Sequence, residues 1–163
     1  MDLIFSTATF HWIKDHDRLF RRLAQALKPQ GRLVAQCGGK GNTARTRNAM
    51  EQGMGEGRFP KFFTGLEDPW NFAAAKTTKA RLKSAGFGEV NNLAARGAHG
   101  VRFDGRAGPL PENGRVGPPP REAAGVREGE HFAAMVAERL AHRGELVVHY
   151  ARLNILAKRE VAA

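Results

Sequence analysis

Two apolar strands joined by one amphipathic helix occupy residues 2–37, and this order constrains the fold more than any other feature. Residues 2–6 form a short apolar run ending in small polar residues, which predicts a buried strand. A second apolar run spans 32–37 and ends at a glycine cluster, 38–41. Because a strand, a helix of about three turns and a strand form a βαβ unit, we expect parallel strands and a right-handed crossover.

The helix between these strands has clear start and stop signals. Asp15 or Asp17 can cap its N-terminus, and Pro29 and Gly31 end it. Apolar side chains recur at helical spacing while arginines take the outer face. The predicted core positions are Leu19, Phe20, Leu23 and Leu27.

Further elements follow, separated by a sharp change of composition. The predicted elements are helices at 42–54, 77–82 and 132–140 and strands at 87–90 and 146–157, with Asn42 or Thr43 capping the first helix and an irregular stretch at 55–71. Between 96 and 121, glycine, proline and arginine replace apolar residues, which predicts an irregular segment. A loop this long is usually functional, disordered or a sign of error, and one hypothesis is an out-of-frame segment over 91–125.

The charge balance leaves a nucleic-acid partner open as an alternative. Lys and Arg outnumber Asp and Glu by 26 to 16, a formal net charge of +10. The arginines concentrate in the Gly/Pro-rich stretch and few share a helical face. Phe103 is the one aromatic residue among them, whereas RNA-binding arms usually interleave aromatics with basic residues.

Several classes of site and location are disfavoured. Cys37 is the single cysteine, which excludes an internal disulfide and a cysteine-built zinc site, and the six histidines lack metal-ligand spacing. No metal is therefore expected. The chain has neither a signal-peptide pattern at its start nor an apolar run of about 20 residues, so a cytoplasmic location is expected.

The run from Asp2 to Trp12 resembles the fourth strand and following loop of class I S-adenosylmethionine-dependent methyltransferases. The likeness is to the trans-aconitate methyltransferase-like branch, in which a small-residue turn leads to an aromatic–Trp pair. The turn 27–33 resembles that family's entry into strand five, with Gln30 replacing a glycine. Residues 36–42 and 150–155 also match its patterns.

The resemblance covers 1–90 and about 130–159 and implies an α/β fold. It implies a partial Rossmann-like methyltransferase sheet, strands four to seven of a seven-stranded sheet with flanking helices. The expected unit is an incomplete methyltransferase domain over 1–159, interrupted by 96–121. The family's glycine-rich loop and its ribose-binding acidic residue would precede Met1. The cluster 38–41 lacks Gly-x-Gly-x-x-Gly spacing, so we interpret it as a turn close to a ligand.

The same resemblance implies the site residues. Ser6, Thr7 and Ala8 are expected to bind S-adenosylmethionine, and His11 is the candidate catalytic residue, as a general base or an acceptor-orienting donor. The candidate acceptor-binding residues are Phe10, Trp12, Tyr150 and Arg152. Structural alternatives remain open for each: strand termination for Ser6 and Thr7, core packing for the aromatics, a structural role for His11, and a surface salt bridge for Arg152.

The expected reaction is methyl transfer to a small carboxylic acid or a similar small molecule. A carboxylate is already ionised near neutral pH and needs no general base, so positioning dominates. Activity of this chain by itself is uncertain. The alternatives are a non-catalytic half of a split enzyme, associating through the exposed edge of its first strand, or a basic nucleic-acid-binding module.

Overall fold

The computed structural model describes residues 1–102, 123–142 and 145–161. The strands are β1 (Leu3–Thr7), β2 (Arg32–Gly38), β3 (Phe87–Arg102), β4 (Ala141–His142) and β5 (Glu145–Arg159). The helices are α1 (His16–Ala26), α2 (Ala44–Met54), α3 (Pro60–Phe63), α4 (Ala75–Ser84) and α5 (Ala123–Leu140), with a 3₁₀ turn at Phe10–Trp12. This mixture confirms the predicted α/β class.

One sheet joins the described strands in the order β1-β2-β5-β3, and β4 pairs with β5. β1 and β2 are parallel, with Leu3 opposite Arg32, so the predicted β1-α1-β2 unit is confirmed. β2 and β5 are antiparallel, with Arg32 opposite Lys158. The amino-terminal end of β5 therefore reaches the carboxyl ends of β1 and β2.

α1 begins where the sequence predicted. The Arg18 backbone N–H donates a hydrogen bond of 2.8 Å to Asp15 Oδ1, which satisfies one of the unpaired donors of the first turn. His16 lies buried in that turn, and its Nε2 is 2.9 Å from the Phe10 carbonyl oxygen, to which it donates. The same face carries Phe20, which is fully buried.

The main core lies between one face of the sheet and the helices α1 and α4. Alternate residues of β2 and β5 point into it, as the period of two along a strand requires. Its fully buried large side chains include Phe20 of α1, Leu33 of β2 and Leu82 of α4. The core members on the strands are Leu33, Ala35, Cys37, Leu153, Ile155 and Ala157.

The opposite face of the sheet exposes apolar side chains. Phe5 lies opposite Val34, which lies opposite Leu156, so the three form one row across β1, β2 and β5. Phe5 is 70% exposed, Leu3 55% and Leu156 48%. The prediction that residues 2–6 are buried throughout was therefore wrong. β1 has one neighbouring strand in the described residues, and the apolar edge expected of it is exposed.

The chain divides into two compact units, residues 1–42, 69–97 and 150–163 in the first and 43–68 and 98–149 in the second. In the second unit, α5 packs against α2 through a small core of Ala49, Phe59, Phe132, Val136 and Leu140. Ion pairs join Arg58 to Glu128 at 2.6 Å and Arg139 to Glu56. The extent of the expected domain, 1–159, stays a prediction.

Two predicted helix starts differ from those found. Thr43 precedes α2 with φ +49° and makes no side-chain cap, and Asn42 Oδ1 instead accepts a hydrogen bond of 3.0 Å from the Ala151 N–H. The proposed capping by either residue was wrong, because β5 takes the Asn42 side chain. α4 starts at Ala75 rather than Thr77, consistent with the high helix propensity of alanine.

The irregular stretches are shorter than predicted. β3 continues to Arg102, so 96–102 of the segment 96–121 is strand, because pairing within the sheet satisfies its backbone despite the glycines. The remaining residues, 103–121, lie outside the described residues. α5 begins at Ala123 rather than at 132, and α3 forms one turn within 55–71. No helix in the described ranges is long and apolar enough to cross a bilayer.

Replacement of Leu33 by alanine tests the core. Leu33 is completely buried, so Leu33→Ala should lower the free energy of unfolding by about 2–5 kcal/mol through lost apolar burial and a new cavity. Urea denaturation followed by circular dichroism measures it. Leu93→Ala on β3, where the side chain is 70% exposed, is the control and should cost less than about 1 kcal/mol. Equal losses would contradict this core.

The buried histidine predicts a pH dependence of stability. Burial, the largest effect, lowers the pKa of His16 below its usual 6.5, and Arg81 lowers it further against the raising effects of the Phe10 carbonyl, Asp17 and Asp15. The unfolded chain therefore binds the proton first as the pH falls. Stability should be full above pH 6.5 and decrease below it.

Denaturation between pH 7.5 and 5.5 measures this loss, and His16→Gln should flatten the dependence. The pKa of His11 is also lowered by burial, so His11→Gln/His16→Gln should flatten it further. An unchanged slope in both variants would refute the assignment.

Candidate active site

The loop after β1 carries the three residues predicted to bind the cofactor. Ser6 is half-buried in β1, and Thr7 and Ala8 are exposed at its carboxyl end. Ala8 has φ +54°, a left-handed conformation that costs a non-glycine residue about 1 kcal/mol or more. Its N–H donates a hydrogen bond of 2.8 Å to the Gln36 carbonyl, which holds the loop against β2. A strained, anchored and open loop at this edge suits ligand contact.

His11 connects the ends of the two parallel strands. The Gly38 N–H, at the end of β2, donates a hydrogen bond of 3.1 Å to His11 Nδ1. Burial lowers the pKa of His11, and repulsion from His16 lowers it further. Both facts favour a neutral imidazole with its proton on Nε2. His11 is therefore oriented by backbone, without a carboxylate partner among the described residues.

Four rings form an aromatic group beside this loop. His11 stacks on Phe72 with ring centroids 5.5 Å apart, and Trp70 stacks on Phe72 at 5.8 Å. Trp12 completes the group, 5.5 Å from His11 and 5.7 Å from Trp70. Trp12 is 46% exposed, so its indole can contact a ligand.

Phe10 does not share this position. Its side chain is 4% exposed and meets Phe20 edge to face, with centroids 6.0 Å apart. It belongs to the main core. The acceptor-binding role predicted for Phe10 is therefore corrected: the ring anchors the loop from below.

Tyr150 and Arg152 lie near the same edge, on β5. Arg152 pairs with Gly38 in the sheet register, which places it beside the residue that His11 binds. Its guanidinium lies 4.9 Å from the centre of the Tyr150 ring and donates to Gln36 Oε1 at 3.0 Å. The surface salt bridge considered for Arg152 is absent from the described residues, so its charge is held by neutral groups.

Sequence reasoning missed Trp70, Phe72 and Gln36. Trp70 and Phe72 lie in or beside the stretch predicted to be irregular, and the Asn71 N–H donates 2.8 Å to the His11 carbonyl. The available signal was the aromatic sequence 70–72 after Pro69. Gln36 was assigned to a strand only, and its Nε2 donates 2.8 Å to Asn154 Oδ1.

Nucleophilic chemistry at Cys37 is disfavoured. The thiol is buried in the main core, and burial raises its pKa to about 11, so it stays protonated. The described residues contain no group of three or more His, Cys, Asp or Glu side chains able to hold a metal ion. The geometry is that of a positioning site.

Comparison with known proteins agrees with this geometry. Residues 1–35 match the methyltransferase domain family. A malonyl-(acyl-carrier protein) O-methyltransferase of Calditerrivibrio nitroreducens is 35% identical over 81 residues, 50% of this chain and 33% of that protein. A second enzyme of that name, from Ilyobacter polytropus, is 36% identical over 67 residues, 41% of this chain and 26% of that protein. The matches thus span about a third or less of these relatives' length.

Solved structures share the fold. The YcgJ protein of Bacillus subtilis superposes with a TM-score of 0.56 at 10% identity, covering 99% of this chain and 65% of that protein. A presumed methyltransferase of Bacillus halodurans gives 0.57 at 10% identity with the same coverage. Together with the sequence matches, these structures support a SAM-dependent methyltransferase, and the fold of this chain is the α/β, Rossmann-like fold of the class I methyltransferases.

Proposed function

We propose that this chain belongs to an S-adenosylmethionine-dependent methyltransferase that acts on a small carboxylic acid or a similar small molecule. The observation that carries the proposal is the edge where β1 and β2 end, with an open loop, a neutral His11 and an exposed Trp12. Ligands of open α/β sheets bind at the carboxyl ends of the strands. The methyltransferase family match ends at residue 35 and so includes this loop.

The residues present fit part of the cofactor. Thr7 and Ala8 offer exposed backbone at the strand end, and the exposed Trp12 indole can attract a sulfonium cation. S-adenosylmethionine, when bound, supplies an electrophilic methyl group. The described residues contain no Gly-x-Gly-x-x-Gly loop after a strand, so this chain holds only one side of that ligand.

The chain's own residues position the acceptor rather than exchange protons with it. Neutral His11 offers Nε2–H as a hydrogen-bond donor, because Nδ1 is engaged by Gly38. Arg152 is held flat against Tyr150 and Gln36, so its remaining guanidinium donors can meet a carboxylate. The aromatic group keeps water from one wall of the site.

We also propose that the chain corresponds to the C-terminal half of such a domain, of the trans-aconitate methyltransferase-like branch and cytoplasmic. Coverage of a third of a relative's length and the apolar row at Phe5 and Leu156 support a missing layer on that face. A split enzyme completed by a second polypeptide across β1 is the second candidate, favoured by the exposed Leu3 and Phe5. The Arg/Gly-rich arm of the nucleic-acid alternative lies mostly outside the described residues.

Titration of the isotopically labelled chain with S-adenosylmethionine and S-adenosylhomocysteine tests the function. Weak binding with amide shift changes over residues 6–12 is expected. Trp12→Leu should weaken S-adenosylmethionine binding about threefold or more, and S-adenosylhomocysteine binding less, because only the former is a cation. Phe62→Leu removes another exposed aromatic side chain and should change neither. Unperturbed amides at saturating ligand would refute the proposed cofactor site.

Substitution of His11 separates orientation from proton transfer. His11→Ala leaves the Gly38 N–H without its acceptor and should lower the free energy of unfolding by about 1–3 kcal/mol. His11→Asn retains an acceptor oxygen and should recover part of that loss. Thermal denaturation at pH 7.5 gives the comparison. If both variants lose equally, the hydrogen bond to Gly38 does not orient the loop.

A further inference from the structure

The turn after β2 is a rigid element next to the proposed site. The Gly39 N–H donates 2.9 Å to the Ala151 carbonyl, and the Lys40 N–H donates 3.0 Å to the Ala73 carbonyl. Gly41 follows with φ +85°, a conformation that favours glycine. A side chain at Gly39 would lie 3.2 Å from Leu153 Cβ, so the close approach to β5 also suits glycine. The turn therefore fixes the backbone from which Lys40 projects.

A cavity of about 290 Å³ lies beside this turn, within the first compact unit. Much of its wall is small and apolar, because five of the eleven lining residues are alanines. The charged lining residues are Lys40, Arg96 and Arg152. Its volume lies at the lower end of the range of small-molecule sites, so it suits a small ligand.

The charge of this cavity is uncompensated. None of its lining residues is acidic, and none of the three cations forms a salt bridge within the part of the chain that the structure describes. Arg152 is supported only by the neutral Gln36 and Tyr150. Three cations of like charge around a partly enclosed space repel one another, and an anion would relieve that repulsion.

We propose that Lys40 and Arg96, together with Arg152, form an oxyanion site that takes the carboxylate or phosphate group of a small acceptor. The site adjoins the proposed catalytic edge, because Gly38 precedes the turn and hydrogen-bonds His11. The identification of this ligand as the methyl acceptor rests on the proposed function. The binding of a small oxyanion does not.

Titration of the full chain with malonate, inorganic phosphate and neutral malonamide tests the site. Ionic strength is held constant with sodium chloride, and amide shifts at residues 39–41 and 94–96 report binding. Malonate or phosphate should bind and malonamide should not, and the tighter of the two anions identifies the group. Lys40→Gln/Arg96→Gln should weaken anion binding about tenfold or more, since hydrogen bonds to charged groups are lost.

The matched control removes two charges elsewhere. Lys79→Gln/Arg21→Gln changes two exposed residues of α4 and α1 and should leave affinity within about twofold, because screened surface charges act weakly at a distance. Thermal denaturation confirms that both double variants fold. Equal weakening by the two double variants would show attraction by net charge alone and would overturn the site, as would the absence of anion binding.

The two proposals fail separately. Loss of S-adenosylhomocysteine binding at residues 6–12 with malonate or phosphate binding intact would count against the methyltransferase assignment and leave the oxyanion site standing. Cofactor binding at that loop with no anion binding would do the reverse.

Discussion

The parallel pairing of β1 with β2 is the constraint on which the rest of this structure depends. It places the carboxyl ends of both strands at one edge, so the loop after β1 and the turn after β2 meet there. The bond from Gly38 N–H to His11 Nδ1 then ties one to the other. β5 adds its amino-terminal end to the same edge and brings Arg152 opposite Gly38. Each candidate site residue takes its place from this arrangement.

The chemistry at that edge is one of position and charge. His11 is kept neutral by burial and oriented by backbone, and Cys37 is kept protonated in the core. Aromatic rings stand on one side of the edge and unpaired cations on another. Such a site can align an anionic small molecule with an electrophile and exclude water, which is what an in-line displacement requires. It does not resemble a nucleophilic or metal-dependent site.

The opposite face of the sheet explains why burial was predicted incorrectly for β1. An apolar run such as residues 2–6 is typical of a strand covered on both faces. Here Ile4 packs against the core while Leu3 and Phe5 are exposed, and Phe5 continues a row with Val34 and Leu156. The sequence pattern therefore records a face that favours a covering layer, which supports the proposal of a larger domain.

Local sequence determined the βαβ unit, because the Asp15 cap, the helical spacing of Leu19 to Leu27 and the stops at Pro29 and Gly31 act within a few residues. It also determined the last strand and, through family resemblance, the loop carrying His11. Tertiary structure alone decided that Phe10 is core, that Trp70 and Phe72 join His11, and that β3 extends to Arg102. These outcomes depend on partners distant in sequence, whose pairing satisfies backbone and ring contacts that no local pattern encodes.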